Sequence, residues 1–186
     1  MFFVRLQLSS VMKRTASILT LLTLLISLDS NYLIAQTNNE DFTIYLIRHA
    51  EKDLSSENQI DPPLTKCGVK RSEFFKNLFQ EIEIEKIYST NYSRTKNTAT
   101  PTALAKILEI QYYDSTYLKS FSELLINSKQ NTLVVGHSNT TPVLAGLLTE
   151  QVMGPFDESI YNRIYQIVIS KDKKELFMIE TSFNCK

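Results

Sequence analysis

The chain alternates short apolar runs with longer stretches in which apolar residues recur every three or four positions. Runs rich in β-branched and aromatic residues predict six strands, which cover residues 42–47, 82–88, 110–113, 132–135, 164–170 and 175–181. Helical periodicity predicts four helices, at residues 65–79, 93–108, 121–128 and 140–148. Strands that alternate with helices and then close in a hairpin predict an α/β fold. We expect a three-layer α/β/α sandwich with a mostly parallel sheet and an antiparallel C-terminal edge.

The first two helices carry the clearest apolar stripes. Their apolar positions are Val69, Phe74, Phe75 and Leu78 in the first helix, and Ala99, Ala103, Leu104 and Ile107 in the second. Thr65 is a suitable N-cap for the first helix because its hydroxyl can accept from a free backbone N–H. Pro101 lies inside the second helix and lacks an N–H, so we expect a kink there.

Positive charge followed by an apolar run marks the N-terminus. Three basic residues precede residues 16–28, which are uncharged and mostly apolar. This is the pattern of a secretory signal peptide, and the run is shorter than the ~20 residues that a membrane-spanning helix needs. We therefore expect residues 1–36 to be a signal peptide and residues 37–186 to form one domain that is exported to the periplasm or secreted. An uncleaved membrane anchor is the alternative.

Composition narrows the class of partner. The chain has 20 basic and 20 acidic residues and no net charge, so it carries no electrostatic signature of a nucleic-acid or membrane-surface partner. Cys67 and Cys185 could pair in an oxidising compartment, but the sequence does not tell whether their Cα atoms come close enough. The cysteines and histidines have no zinc-type spacing, and the four glycines form neither a P-loop nor a dinucleotide fingerprint. We expect no metal and no cofactor.

The two histidines of the chain both stand where a predicted strand ends. His49 follows the strand at residues 42–47, and His137 follows the strand at residues 132–135. Ligands of open α/β sheets bind outside the carboxyl ends of the strands. The two imidazoles are therefore candidates for one active site rather than for two buried structural positions.

Two arginines accompany the histidines at these strand ends. Arg48 precedes His49, and Arg94 opens the helix that follows a third strand. A guanidinium group is a permanently charged fork that suits phosphate oxygens, and helix N-termini near Ser93 and Thr140 add free backbone N–H groups. A neutral imidazole among such cations is a competent nucleophile toward phosphorus. A second imidazole, when protonated, stabilises charge on the transferred group.

Four segments resemble, in order, the sequence blocks of the histidine phosphatase superfamily, also called phosphoglycerate mutase-like. The segments are Leu-Ile-Arg-His-Ala-Glu at residues 46–51, Asp-Pro-Pro-Leu-Thr-Lys-Cys-Gly from residue 61, Ser-Thr-Asn-Tyr-Ser-Arg-Thr-Lys-Asn-Thr-Ala from residue 89, and Val-Val-Gly-His-Ser at residues 134–138. The resemblance implies that His49 is a nucleophile that forms a phosphohistidine. It also implies that Arg48, Arg94 and His137 complete the phosphate-binding pocket, without a metal.

The short stretch between Arg94 and His137 lacks the insertion that builds a substrate lid in larger members of the superfamily. The chain therefore resembles most closely the small, lidless members, which include phosphohistidine phosphatases. The implied partner is a phosphorylated small molecule or a phosphoprotein.

The proton donor for the leaving group stays open at the sequence level. Ser138 stands where the acid phosphatase branch has an aspartate directly after its second histidine. Glu51, Asp114 and Glu123 are the possible donors. A phosphatase is the first hypothesis; a phosphoglycerate-type mutase and a non-catalytic phospho-ligand binding module are the alternatives.

Overall fold

A computed structural model describes residues 41–185, and within that range six strands form one sheet. The predicted signal peptide, residues 1–36, lies outside the described residues. The strands are β1 (Phe42–Arg48), β2 (Lys86–Ser89), β3 (Ile110–Tyr112), β4 (Thr132–Gly136), β5 (Arg163–Ile169) and β6 (Lys174–Glu180). None of the helices in residues 41–185 has the length and apolar character needed to cross a membrane.

The sheet has the order β3-β2-β4-β1-β5-β6. β1, β2, β3 and β4 pair in parallel, while β5 and β6 form an antiparallel edge. β1 and β4 are central and buried along almost their whole length, as their continuous apolar runs predict. The expected parallel sheet with an antiparallel C-terminal edge is confirmed.

Four helices cover the two faces of the sheet. They are α1 (Lys66–Leu78), α2 (Ser93–Lys106), α3 (Leu118–Ser128) and α4 (Thr141–Thr149). Side chains of α1 and α2 pack with one set of strand residues, and those of α3 and α4 pack with the alternate set. Because successive strand side chains point to opposite faces, this alternation produces two cores and the expected three layers.

Some predicted details were wrong. β2 begins at Lys86 rather than Ile82, because residues 79–85 form a turn followed by an irregular segment, from which Ile84 packs into the core. In α1, Val69 and Leu78 are exposed, although Phe75 is fully buried. Helical periodicity identified an apolar stripe, but the sheet covers only part of it.

The end of the predicted stripe in α2 also faces solvent. Ala99 and Ala103 are buried as predicted, whereas Leu104 and Ile107 are exposed. Ile107 ends the helix as its C-cap in the left-handed conformation, which turns it away from the sheet. The helix runs from Ser93 through Pro101 to Lys106.

Cys67 and Cys185 form a disulfide, which resolves the question that the sequence left open. Their Cα atoms are 5.6 Å apart, inside the range that a disulfide spans. The bond ties the C-terminal segment to α1 across 118 residues of chain. Glu51 lies close to both sulfur atoms, but sulfurs bonded to each other offer no thiolate to a metal ion.

Candidate active site

A cleft of about 300 Å³ opens at the carboxyl ends of the parallel strands. Its lining residues are Arg48, His49, Lys52, Tyr92, Arg94, Ser115, His137, Ser138, Asn139, Thr140 and Glu158. The register of β1 and β4 places Arg48 opposite Gly136, so the residues that follow these strands emerge side by side. The four predicted site residues therefore meet in one cleft.

His49 is held in one tautomer at the base of the cleft. Its backbone N–H donates to the carbonyl oxygen of Gly136 at 2.9 Å, and its ring is buried. Nδ1 lies 2.7 Å from the carbonyl oxygen of Ala50. A carbonyl oxygen only accepts, so Nδ1 carries the hydrogen and Nε2 of the neutral ring keeps its lone pair. Burial, with a smaller contribution from Arg48, lowers the pKa of His49 to about 2. The ring is therefore a neutral nucleophile at pH 7.

Gly136 is the residue that lets β4 end so close to its neighbours. A Cβ atom at this position would lie 2.6 Å from the hydroxyl oxygen of Tyr113 and 3.0 Å from the hydroxyl oxygen of Thr140. Glycine therefore permits the approach that brings the residues after β1 and β4 together.

His137 faces His49 across the cleft, with ring centroids 5.4 Å apart. Its Nε2 lies 3.0 Å from Oγ1 of Thr90, which holds the ring in place. Burial and then the charges of Arg94 and Arg48 lower the pKa of His137 to about 4. The protein by itself therefore holds this ring neutral at pH 7, in contrast to the expected imidazolium. A bound anion supplies the opposite charge that favours the protonated ring.

Arg48 is buried beneath the loop that joins α4 to β5. Its Nη1 donates to the carbonyl oxygens of Glu158 and Ile160, and its guanidinium carbon lies 4.1 Å from the ring centroid of Tyr161. These contacts hold the guanidinium group at the edge of the cleft. Burial lowers the pKa of Arg48, but an arginine remains charged at neutral pH.

Arg94 enters the cleft from the first turn of α2. Its Nη1 lies 3.4 Å from Oδ1 of Asp61, and its guanidinium carbon lies 4.3 Å from the ring centroid of Tyr92. The same carboxylate accepts from the backbone N–H of Ser93 at 2.8 Å. The sequence predicted that backbone N–H groups at the start of α2 are free to bind an anion, but Asp61 accepts from the N–H of Ser93. The contribution of α2 to the cleft is instead the side chain of Arg94.

Two guanidinium groups line the cleft beside the two imidazoles. Arg48 and Arg94 both contribute to its wall, next to His49 and His137. A guanidinium group donates to phosphate oxygens through a planar fork. Two such groups beside two neutral imidazoles are therefore typical of a site built for a multiply charged oxyanion.

The carboxylates proposed as proton donors have other partners or positions. Glu51 forms a bidentate ion pair with Arg71, with its shortest distance at 2.7 Å. Asp114 is exposed and accepts from the backbone N–H and the hydroxyl of Thr116. Glu123 is exposed on α3. None of these three residues lines the cleft.

The structure adds residues that the sequence did not identify. Thr90 and Tyr92 lie in the block around Arg94, so proximity to that motif was a usable signal. Glu158 and Tyr161 lie in the loop at residues 150–162, which has no periodicity and no motif. Their contacts with Arg48, Lys52 and His49 place them at the site.

The pKa of His137 predicts a pH dependence of anion binding. Without an anion its pKa is about 4, and a bound dianion raises it. At a pH between the pKa of His137 in the free protein and its pKa in the complex, anion binding is accompanied by proton uptake on this ring. The affinity for the anion therefore rises as pH falls, by at most about tenfold per pH unit. Sulfate keeps its charge over this range. We expect calorimetric titration between pH 8 and pH 5 to give progressively tighter sulfate binding.

The matched variant for this prediction is His137→Asn, which keeps a polar side chain but removes the titrating ring. Its sulfate affinity should be flat between pH 8 and pH 5. A slope that persists in His137→Asn would assign the proton uptake to another group.

The fold and this site define the class of protein. Residues 44–115 match the model of the histidine phosphatase superfamily (branch 1). This match confirms the resemblance predicted from the motifs, and it supports the predicted class of enzyme, a phosphatase of the histidine type. No curated protein sequence matches the chain.

Solved structures share the fold at low sequence identity. The protein histidine phosphatase SixA complexed with tungstate superposes with a TM-score of 0.63 at 17% identity, over 75% of this chain and 97% of that one. The alpha-ribazole phosphatase from Shigella flexneri gives 0.63 at 14% identity, over 75% and 96%. The phosphoglycerate mutase from Bacillus anthracis gives 0.57 at 15%, over 77% and 95%. Because phosphatases and a mutase share it, the fold alone does not select the reaction.

Proposed function

We propose that this protein hydrolyses phosphomonoesters or phosphoramidates through a phosphohistidine at His49. The observation that carries the proposal is the fixed tautomer of His49, which leaves a neutral Nε2 in a cleft that Arg48 and Arg94 also line. One cleft therefore contains a nucleophile and the positive charges that bind a phosphoryl group.

The geometry supports a two-step reaction. In the first step Nε2 of His49 attacks phosphorus and the leaving group departs. Arg48 and Arg94 bind the phosphoryl oxygens, and His137 takes up a proton and stabilises the charge that spreads over them. In the second step water attacks the phosphohistidine and phosphate leaves. The carbonyl of Ala50 keeps the hydrogen on Nδ1 through both steps.

The short stretch between Arg94 and His137 favours hydrolysis of accessible phosphoryl groups. It contains β3 and α3, which pack in the sandwich, and only the loop around Ser115 reaches the cleft. A mutase must keep its phosphorylated intermediate away from water. Phosphoproteins and exposed small phosphate esters are therefore the substrates that we propose, in agreement with the description of SixA as a protein histidine phosphatase.

A substrate panel tests the proposal. It should span aryl phosphates, sugar phosphates, phytate, phosphohistidine peptides and phosphoglycerates, with release of phosphate as the readout. We expect phosphate release from at least one class, together with an acid-labile phosphoryl group on the protein. Isomerisation of phosphoglycerate without phosphate release would indicate a mutase. Tight phosphate binding without turnover of any substrate would indicate a binding module.

We also propose that the protein is exported, to the periplasm or beyond. The N-terminal pattern at residues 1–36 motivates this proposal, and the Cys67–Cys185 disulfide supports it because such bonds persist mainly in oxidising compartments.

The disulfide gives this proposal a measurable consequence. A bond that closes a loop of this size restricts the unfolded chain, so its loss should lower the free energy of unfolding by about 2–5 kcal/mol. Protein recovered from the exported fraction should have both cysteines oxidised, and denaturant unfolding with and without reductant should differ by this amount. The double variant Cys67→Ser/Cys185→Ser should match the reduced protein and be insensitive to reductant. Free thiols in the exported protein, or recovery only from the cytoplasm, would contradict the proposal.

A further inference from the structure

The cleft contains a carboxyl group that the mechanism above does not use. Among the described residues that line it, Glu158 is the only one with an acidic side chain. Its Oε2 lies 3.3 Å from Nζ of Lys52 and 3.8 Å from Nη2 of Arg48. Glu158 is therefore beside the phosphate-binding groups, although it lies 110 residues from Arg48 along the chain.

The backbone at Glu158 is anchored, while most of its side chain is exposed. The carbonyl oxygens of Glu158 and Ile160 both accept from Nη1 of Arg48, and Tyr161 stacks on the same guanidinium group. In contrast, 69% of the Glu158 side chain is exposed. The carboxyl group therefore stands at the mouth of the cleft, on a main chain held by the arginine that binds phosphate.

The mouth of the cleft is the side from which a leaving group departs. In phosphoryl transfer the attacking and leaving atoms lie roughly in line through phosphorus. His49 is the buried nucleophile at the base, with 3% of its surface exposed. The leaving oxygen of a substrate attacked from the base must therefore point toward the mouth, where Glu158 lies.

We propose that Glu158 is the general acid and base of this reaction, an inference that rests on the proposed phosphatase function. In the first step the Nε2 lone pair of His49 forms the N–P bond while the P–O bond to the leaving group breaks. The leaving oxygen keeps that electron pair and takes the proton of the Glu158 carboxyl group. In the second step the Glu158 carboxylate takes a proton from the attacking water. The water oxygen bonds to phosphorus, and the N–P electron pair returns to Nε2.

Two cations hold the carboxyl group of Glu158 beside the phosphate-binding groups. Its Oε2 is close to both Lys52 and Arg48, and Arg48 is one of the two arginines that bind phosphoryl oxygens in the proposed mechanism. The carboxyl group therefore lies next to the phosphoryl group in both steps of the reaction.

The test compares Glu158→Gln with the wild-type protein on a graded series of aryl and alkyl phosphate monoesters. Protonation matters most for poor leaving groups. We expect kcat/KM for alkyl phosphates to fall about 100-fold to 10,000-fold, whereas 4-nitrophenyl phosphate changes little. The dependence of rate on leaving-group basicity should become steeper. A residue with a purely structural role would lower all rates together.

Glu150→Gln is the matched control. Its carboxylate is similarly exposed and pairs with a lysine, Lys174, but it lies outside the cleft. We expect its rates to follow those of the wild type across the series, and thermal unfolding should show that both variants are folded.

Three outcomes would overturn the assignment of Glu158. The first is that the rates of Glu158→Gln equal those of the wild type across the series. The second is that all its rates fall by the same factor, so that the dependence on the leaving group is unchanged. The third is that sulfate binds more tightly while the rates stay unchanged, which would make Glu158 only a competitor of phosphate. The proposed function fails separately, if the wild-type protein turns over no member of the series and never acquires a phosphoryl group.

Discussion

We expect replacement of His49 with alanine to abolish turnover. Because Nε2 of His49 is the atom that we propose forms the bond to phosphorus, its loss removes the covalent step rather than weakening it. We expect kcat to fall by a factor on the order of 10⁶, the scale seen when a catalytic nucleophile is removed. The acid-labile phosphoryl group, measured with a radiolabelled donor and acid or alkaline treatment, should disappear as well.

The control for this variant is anion binding. Arg48, Arg94 and His137 remain in His49→Ala, so sulfate should still bind. Chelators such as EDTA should leave the wild-type rate unchanged, because the proposed nucleophile is a side chain. A phosphoryl group that still forms in His49→Ala, for example on His137, would show that the nucleophile is misassigned. Loss of wild-type activity with EDTA would point to a metal enzyme.

Replacing Arg94 with alanine has the second largest expected effect. The variant removes a half-buried guanidinium group that lines the cleft, so transition-state charge on the phosphoryl group loses one of its two arginine partners. We expect kcat/KM to fall about 100-fold to 1,000-fold, and sulfate affinity to fall too. Arg94→Lys should recover only part of the loss, because an ammonium group keeps the charge but lacks the planar fork.

Arg163→Ala is a closely matched control for Arg94→Ala. Both arginines pair with a carboxylate, at 3.5 Å for Arg163 and 3.4 Å for Arg94, and their side chains are 17% and 13% exposed. Arg163 lies outside the cleft. Arg163→Ala should therefore show any loss of stability that follows from removing a half-buried arginine, without the fall in kcat/KM. Equal kinetic losses in the two variants would refute a phosphate-binding role for Arg94.

The position of the two histidines could be predicted from sequence because it depends on local pattern. Continuous apolar runs identify β1 and β4 as buried strands, and a buried strand must end in a loop at one edge of the sheet. His49 and His137 follow those strands directly. Parallel pairing of β1 with β4 then brings them together; a mostly parallel sheet was expected, but the structure decided that these two strands are neighbours.

Burial along the helices was predicted less well. On α1, the apolar Val69 is exposed and the charged Arg71 is buried, although their hydrophobicity suggests the opposite. Arg71 is buried because the bidentate ion pair with Glu51 satisfies its charge. An ion pair between residues on different elements depends on the packing of those elements, so the sequence of α1 did not contain this information.

The amino-acid sequence by itself determined the fold class, the two histidines and the two arginines, because strand hydrophobicity and motif spacing are local properties. Only the tertiary structure decided the tautomer of His49, the disulfide and the presence of Glu158 in the cleft. The loop at residues 150–162 has no periodic pattern, and at the site its carbonyl oxygens accept from buried Arg48. Such a long-range hydrogen-bond requirement appears only when the whole chain is folded.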